Sequence, residues 1–333
     1  MKNLNSKSAL VILLVLSGML LSPVSQVLAE KGLVFENLTE EVGRGFGSTW
    51  NRYTWSMGVD EYLYVGTWSN QTDWPAMLAA IASGELADVF NSEENPLAFI
   101  GFVASDGGEI WRFEGDQSWT RVAKAPPEVT GFRKMLKYQE RLYAGTANNQ
   151  EGAELWVKEV DPLSTTGETW SALDPPWAPE NSSIRALCTF SGSGDDDEKL
   201  YVGTENNVSG GELWTFDGVN WDHIWTFDVH SVAEIAVFED VLYVGTWTFQ
   251  FDFLGGTPSD TFQLFKSEDG VNFQNVKPEF DGREDLSNVG VMTLINFDGR
   301  LYLGTVNYID GFTLLASRDP SDVDSWEVLT TDG

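Results

Sequence analysis

The chain has 333 residues, with 51 acidic against 20 basic side chains and a net charge of −31. That surplus excludes a nucleic-acid or anionic-lipid binder, since both need clustered Lys and Arg. With a single cysteine, Cys188, in an apolar stretch, an intramolecular disulfide is excluded; 14 Trp and 20 Phe leave packing to hold the fold.

In chain order, Met1–Ala29 reads as a signal peptide: Lys2 and Lys7 precede the apolar run Ala9–Leu21, and Val27-Leu28-Ala29 supplies small residues for cleavage. The run is too short and interrupted for a comfortable span of about 20 residues. A cleaved signal and a retained anchor are the two readings, and the first predicts an exported protein: extracellular, periplasmic or at the cell surface. Residues 30–333 then form one domain, without membrane insertion after cleavage. Leu33–Leu38 resembles the outer strand Trp326–Leu329 and is expected at the periphery, near the first or last repeat.

Five copies of Leu-Tyr-x-Gly-Thr follow, with glycines at Gly66, Gly145, Gly203, Gly245 and Gly304. Both faces of each Leu-Tyr-x strand are apolar, as in a strand covered on both sides. Upstream of most copies an apolar segment ends in a tight turn such as Asp298-Gly299, a hairpin signal. Downstream come third strands (Glu109-Ile110-Trp111, Glu154-Leu155-Trp156, Glu212-Leu213-Trp214, Gln263-Leu264-Phe265, Thr313-Leu314-Leu315) and a fourth beginning near Trp119, Trp170, Trp221, Phe273 or Trp326. The prediction is an all-β fold: a β-propeller of five four-stranded blades, near 52–123, 129–172, 183–227, 231–276 and 288–329, closed into a ring. The motif's Gly lets the strand approach a neighbouring backbone, and its Thr is read as a good strand former. Insertions lie at Trp68–Ile100, with a short helix from Pro75, at Ser191–Lys199 and at Thr248–Thr261.

Loops after the second strands and the links between blades share one face, the expected binding face. The candidate ligand-binding residues there are Trp68, Asn70, Trp74, Asn148, Asn206, Trp247, Phe249, Phe251, Asn307 and Tyr308. Aromatic rings cover apolar sugar faces and amides bond hydroxyls, which points to a glycan; the plainer reading makes the Asn residues turn formers and the aromatics covers of their own loops. Insertion lengths favour the sector of the first, fourth and fifth copies. No catalytic motif stands out: the two histidines, His223 and His230, have no Ser or Cys motif beside them. Asp195, Asp196 and Asp197 would suit Ca²⁺ as hard ligands but lack EF-hand spacing and read also as a solvated loop; no other cofactor is expected.

The repeat resembles kelch-type propellers, with Gly-Thr where kelch has Gly-Gly, and exported prokaryotic repeat proteins with Leu-Tyr-Val-Gly-Thr blades. Ser267–Phe273 resembles a shortened Asp-box of sialidase-like propellers, whose enzymes use three arginines; no spacing among this chain's ten marks such a trio. The resemblance implies architecture. Two functions stay open: a secreted or surface-associated module binding a glycan or extracellular protein, or a propeller-type carbohydrate-active hydrolase or lyase.

Overall fold

The computed structural model describes residues 37–72, 103–194, 197–248, 262–278, 288–307 and 311–330. The signal-like segment and the helix expected from Pro75 lie outside these residues. Within them the chain is all-β and propeller-like, with twenty strands in one sheet and a separate two-stranded hairpin.

Each repeat is an antiparallel meander of four strands. The first is β1 (Asn51–Val59), β2 (Leu63–Ser69), β5 (Glu109–Gly115) and β6 (Ser118–Lys124), with the hairpin β3 (Gln71–Thr72) and β4 (Val103–Ala104) between β2 and β5. The second is β7 (Gly131–Tyr138), β8 (Arg141–Ala147), β9 (Leu155–Val160) and β10 (Glu168–Leu173). The third is β11 (Asn181–Phe190), β12 (Lys199–Asn206), β13 (Glu212–Phe216) and β14 (Trp221–Thr226). The fourth is β15 (Ser231–Phe238), β16 (Val241–Trp247), β17 (Leu264–Ser267) and β18 (Gln274–Asn275). The fifth is β19 (Asn288–Phe297), β20 (Arg300–Asn307), β21 (Leu314–Ser317) and β22 (Glu327–Thr330). Gln139-Glu140, Glu239-Asp240 and Asp298-Gly299 hold the paired positive φ values of type I′ turns.

The motif glycine makes the junctions between meanders. A Cβ at Gly145 would lie 2.5 Å from Ile184, one at Gly203 2.4 Å from Val232, and one at Gly245 2.8 Å from Val291. At Gly66 it would meet Ser56 Oγ at 2.3 Å and the Phe132 carbonyl at 2.7 Å. The first strand of the next meander thus lies where a side chain would be. Around these approaches sit four core clusters, one per junction. The motif Tyr faces the following meander and the Leu the preceding one, each buried side chain contributing about 1.5–3 kcal/mol. Leu142, Leu200, Leu242 and Leu301 are fully buried.

The motif threonine does more than favour a strand. In all five copies its hydroxyl accepts the backbone N–H that opens the third strand: Glu109 to Thr67 at 3.0 Å, Glu154 to Thr146 at 2.8 Å, Glu212 to Thr204 at 3.0 Å, Gln263 to Thr246 at 2.7 Å and Thr313 to Thr305 at 2.8 Å. Where that residue is Glu, its carboxylate accepts the indole N–H two residues on, from Trp111, Trp156 and Trp214 at 2.8–2.9 Å. The threonine therefore sets the start of the next strand, and in three copies the Glu it holds fixes the aromatic.

Closure of the ring was expected, and the sheet is not closed. Single pairings join β2 to β7, β8 to β11, β12 to β15 and β16 to β19; among the described residues none joins the fifth meander to the first. Burial follows suit. Leu63, which would face a preceding meander, and Tyr302, which would face a following one, are only half-buried. The outer part of the first meander is instead covered by residues 37–50: Phe46 stacks on Trp111 with centroids 4.9 Å apart, and Trp119 donates to the Leu38 carbonyl at 2.7 Å. Leu38 thus lies at the periphery of the first meander.

The Asp-box-like turn forms. Asp269 Oδ1 accepts the N–H groups of Val271 and Asn272 at 2.9 and 2.7 Å, and Gly270 donates to Ser267 Oγ at 2.8 Å. Asp217 makes the same turn with Val219 and Asn220, both N–H groups donating to its Oδ1. The Asp-Gly-Val-Asn-aromatic sequence at 217–221 repeats that at 269–273.

Two outcomes are expected. Gly145→Ala and Gly203→Ala should each cost about 1–3 kcal/mol in urea unfolding, as overpacking does. Gly304→Ala should cost clearly less: among the described residues its Cβ would meet Thr293 Cγ2 at 2.8 Å and Leu314 at 4.0 Å, and no side chain of another meander. Equal costs would place the first meander against Gly304 and close the ring. Second, the Asn272 N–H, the Asn272 amide and the Val271 N–H hold the Asp269 pKa below the usual carboxylate value; the corresponding Asn220 and Val219 groups do so for Asp217. Both groups add stability above the unfolded value of about 3.9, and lose it as pH falls through their folded values. The stability gap between wild type and the Asp217→Ala, Asp269→Ala double variant should therefore be full at pH 7 and narrow below about pH 4.

Candidate functional site

The first strands, β1, β7, β11, β15 and β19, pack beside one another and line the axis of the arc. Each has a residue inserted at the point where pairing with the motif Thr gives way to pairing with the motif Gly. These bulged residues are Trp55, Arg133, Arg185, Ala233 and Met292. A bulge breaks the alternation of faces and re-aims the side chain. Here the same break recurs in all five meanders and gathers residues of four of them at one end of the axis.

Two arginines lie at its centre. The Arg133 guanidinium sits over the Trp55 ring at 4.6 Å from its centroid, and Arg185 over Trp247 at 4.2 Å. Arg185 Nη1 pairs with Glu205 Oε2 at 2.8 Å; Arg133 reaches the same oxygen only at 4.0 Å. Burial first, then the charge of Arg185, lowers the Arg133 pKa, with Glu205 and Glu234 opposing; it remains cationic at neutral pH. Beside it Lys134 pairs with Glu234, Nζ to Oε1 at 2.6 Å, tying the second meander to the fourth. Glu205 lies between Ser183 and Ser231 in the ladder, whose buried hydroxyls have no hydrogen-bond partner among the described residues.

An aromatic wall stands next to the arginines. Tyr53 and Trp68 are 4.9 Å apart, Trp55 and Trp68 5.5 Å, and Tyr53 is 47% exposed. Burial raises the Tyr53 pKa, with Arg133 and Arg185 opposing, so the phenol stays protonated at neutral pH.

Of the residues singled out in the sequence, Trp68 belongs to this wall and Trp247 to the arginine pair. Trp247 is not an exposed aromatic: it is 7% exposed, packs against Ala233 and Val289, and its ring lies on Gly290. Asn148 and Asn206 are buried, their amide oxygens accepting N–H groups of Gln150 and Glu151, and of Val208 and Ser209. They are turn formers, and the shallow cleft beside them, about 230 Å³ in volume, is lined by Asn149, Gln150, Pro179, Glu180, Asn207 and Val208. Asn70 is buried, its carbonyl accepting from Arg52 Nε at 2.7 Å, and Asn307 donates to Asn288 at 3.5 Å. Trp74, Phe249, Phe251 and Tyr308 lie outside the described residues, as do Asp195 and Asp196 of the acidic run.

Arg133, Arg185, Tyr53 and Trp55 were missed. Strand pairing against the motif Thr and Gly puts Trp55, Arg133 and Arg185 at one bulged position, but in the sequence they stand 11, 12 and 18 residues before Gly66, Gly145 and Gly203, so no fixed spacing marks them. His223 contacts Thr226 on the outer strand β14, away from this cluster. Burial pushes the Cys188 thiol up to about 12, so it stays a protonated, unreactive apolar group.

No family model and no curated protein matches the chain. Among solved structures it is similar to an α-L-arabinofuranosidase from Clostridium thermocellum at 13% identity and TM-score 0.41, over 84% of this chain and 94% of that one. A protein from Lactobacillus plantarum aligns at 10% identity and TM-score 0.46, over 85% and 72%. The computationally designed Ika8 protein aligns at 12% and 0.40 over 84% of this chain, which spans 61% of that protein's length. Likeness at this level assigns no activity.

The burial of Trp247 sets an expectation. Trp247→Ala should cost about 3–5 kcal/mol, as large-to-small core substitutions do, whereas Trp68→Ala should cost less than half as much; urea midpoints of the two variants check this.

Proposed function

We propose that the chain is an exported five-bladed propeller, with residues 1–29 removed, that binds a glycan at the axial end of its second-strand loop face. The observation that carries this reading is the Tyr53, Trp55 and Trp68 wall, partly open to solvent, beside Arg133 on rigid first and second strands. Aromatic rings present flat apolar area to the non-polar face of a sugar, and a site on strands holds its geometry better than one on loops. Tyr53 at 47% exposure contrasts with the fully buried motif tyrosines Tyr64 and Tyr243, so its ring is not needed by the core.

Binding is favoured over hydrolysis by the state of the axial carboxylates. A glycosidase needs two carboxyl groups free to act as acid and as base or nucleophile. Glu205 is bonded to Arg185 and Glu234 to Lys134, so both carboxylates here are committed to cations. A screen of the full chain against immobilised neutral and acidic glycans, scoring retention and released sugar, tests the reading. Retention without product, lost in Tyr53→Ala, Trp68→Ala, is expected; product release would favour the hydrolase, and no retention of any glycan would overturn the assignment.

A further inference from the structure

We propose that the axial site selects a glycan bearing a carboxylate, such as a uronic acid, with Arg133 as the group that receives it. This deepens the binding reading and rests on it. Three cations, Arg133, Lys134 and Arg185, meet two carboxylates, Glu205 and Glu234, and the pairing is uneven. Lys134 and Arg185 have carboxylate oxygens at 2.6 and 2.8 Å, while among the described residues the nearest to Arg133 is at 4.0 Å. Among the described residues Arg133 is therefore the least closely paired of the three cations, in a chain whose net charge is −31. An external carboxylate would supply the second half of its pairing.

The geometry suits a carboxylate on a flat ring. A guanidinium offers parallel N–H donors that match a carboxylate in two hydrogen bonds. Its planar face is occupied by Trp55 at 4.6 Å, which holds the fork in one plane and leaves its edge for the ligand. The side chain is 17% exposed, enough for contact yet shielded enough for the charge to act in a medium less polar than water. Trp68 and Tyr53 stand against Trp55 at 5.5 and 6.1 Å, placing apolar rings beside the anion site, as a sugar acid requires. Neutral sugars use the wall alone; inorganic anions use the arginine alone; a uronate uses both.

Trigalacturonate and its fully methyl-esterified form, which keeps the ring and loses the charge, separate these cases on the full-length protein by titration calorimetry. The acid is expected to bind at least tenfold more tightly than the ester, with affinity falling as salt rises. Arg133→Gln should bring the acid down to the level of the ester while leaving the ester unchanged, and Arg133→Lys should restore part of the preference. The ester comparison on the unaltered protein stands even if the variants fail to fold. Equal affinity for acid and ester would overturn the carboxylate proposal while leaving glycan binding intact, and so would sulfate matching the acid at equal concentration. If neither sugar binds and the broad glycan screen is also blank, it is the binding reading itself that fails.

Discussion

The close approach at the motif glycine governs the rest of this structure. With no Cβ at Gly145, Gly203 or Gly245, the first strand of the next meander settles within 2.4–2.8 Å of where one would stand. That distance lets the motif Tyr of one meander and the Leu of the next share a core cluster, as Tyr143 and Leu200 do. It also lets the residue after the motif Thr pair with the following first strand, as Glu205 does with Ser231. A methyl group there would push the strands apart and loosen both contacts together. The threonine then carries the constraint outward, since its hydroxyl fixes where the third strand begins.

The same constraint creates the site. Phe132, Ile184, Val232 and Val291 must lie over the preceding glycine, while two residues later the chain must face its own. One residue is left between them without a place in either face, and it bulges toward the axis. Trp55, Arg133, Arg185, Ala233 and Met292 occupy that place. The strand pairing does not fix their chemistry, and their side chains differ: one aromatic, two cations, one small residue and one thioether. Variation at a position whose chemistry the strand pairing does not fix, on a backbone held by its neighbours, is how a repeat array acquires a binding site.

What was legible in the sequence follows from the same physics. The second strand, buried on both faces and pinned at Gly and Thr, has little freedom, so five copies are recognisable and the all-β architecture could be read from them. The first strand is bound by packing at alternate positions and then broken by the bulge, so no regular alternation marks it, and Arg133 and Arg185 read as ordinary basic residues. Trp68 and Trp247 were picked out as bulky aromatics next to loops, yet Trp247 is packed beneath Arg185 against Ala233 and Val289, and Trp68 is only partly open. Asn148 and Asn206 show the reverse: residues with the chemistry to bind hydroxyls that spend it on their own turns. That no pairing among the described residues joins the fifth meander to the first was not legible either. Whether the two ends meet is a property of the whole array, and no single residue encodes it.

The open seam and the axial site are nearly independent. Arrays of stacked units need covers at their ends, and Phe46 gives one to Trp111, much as Trp177 packs against Trp214 and Phe227 against Phe265 at internal junctions. At the other end, Tyr302 is half-buried where Tyr243 is fully covered by the fifth meander. These differences all lie at the seam. The arginines, Glu205 and Trp247 come from the second to fourth meanders, joined by two intact junctions and by the Lys134–Glu234 pair across the axis. Movement at the seam would shift Tyr53, Trp55 and Trp68 with the first meander, but that meander is itself fixed to the second by Ser56 Oγ donating to the Phe132 carbonyl at 2.8 Å and by the Gly66 approach. The aromatic wall and the cations therefore move as one body, and the geometry between Arg133 and the rings is set by junctions that the seam does not touch.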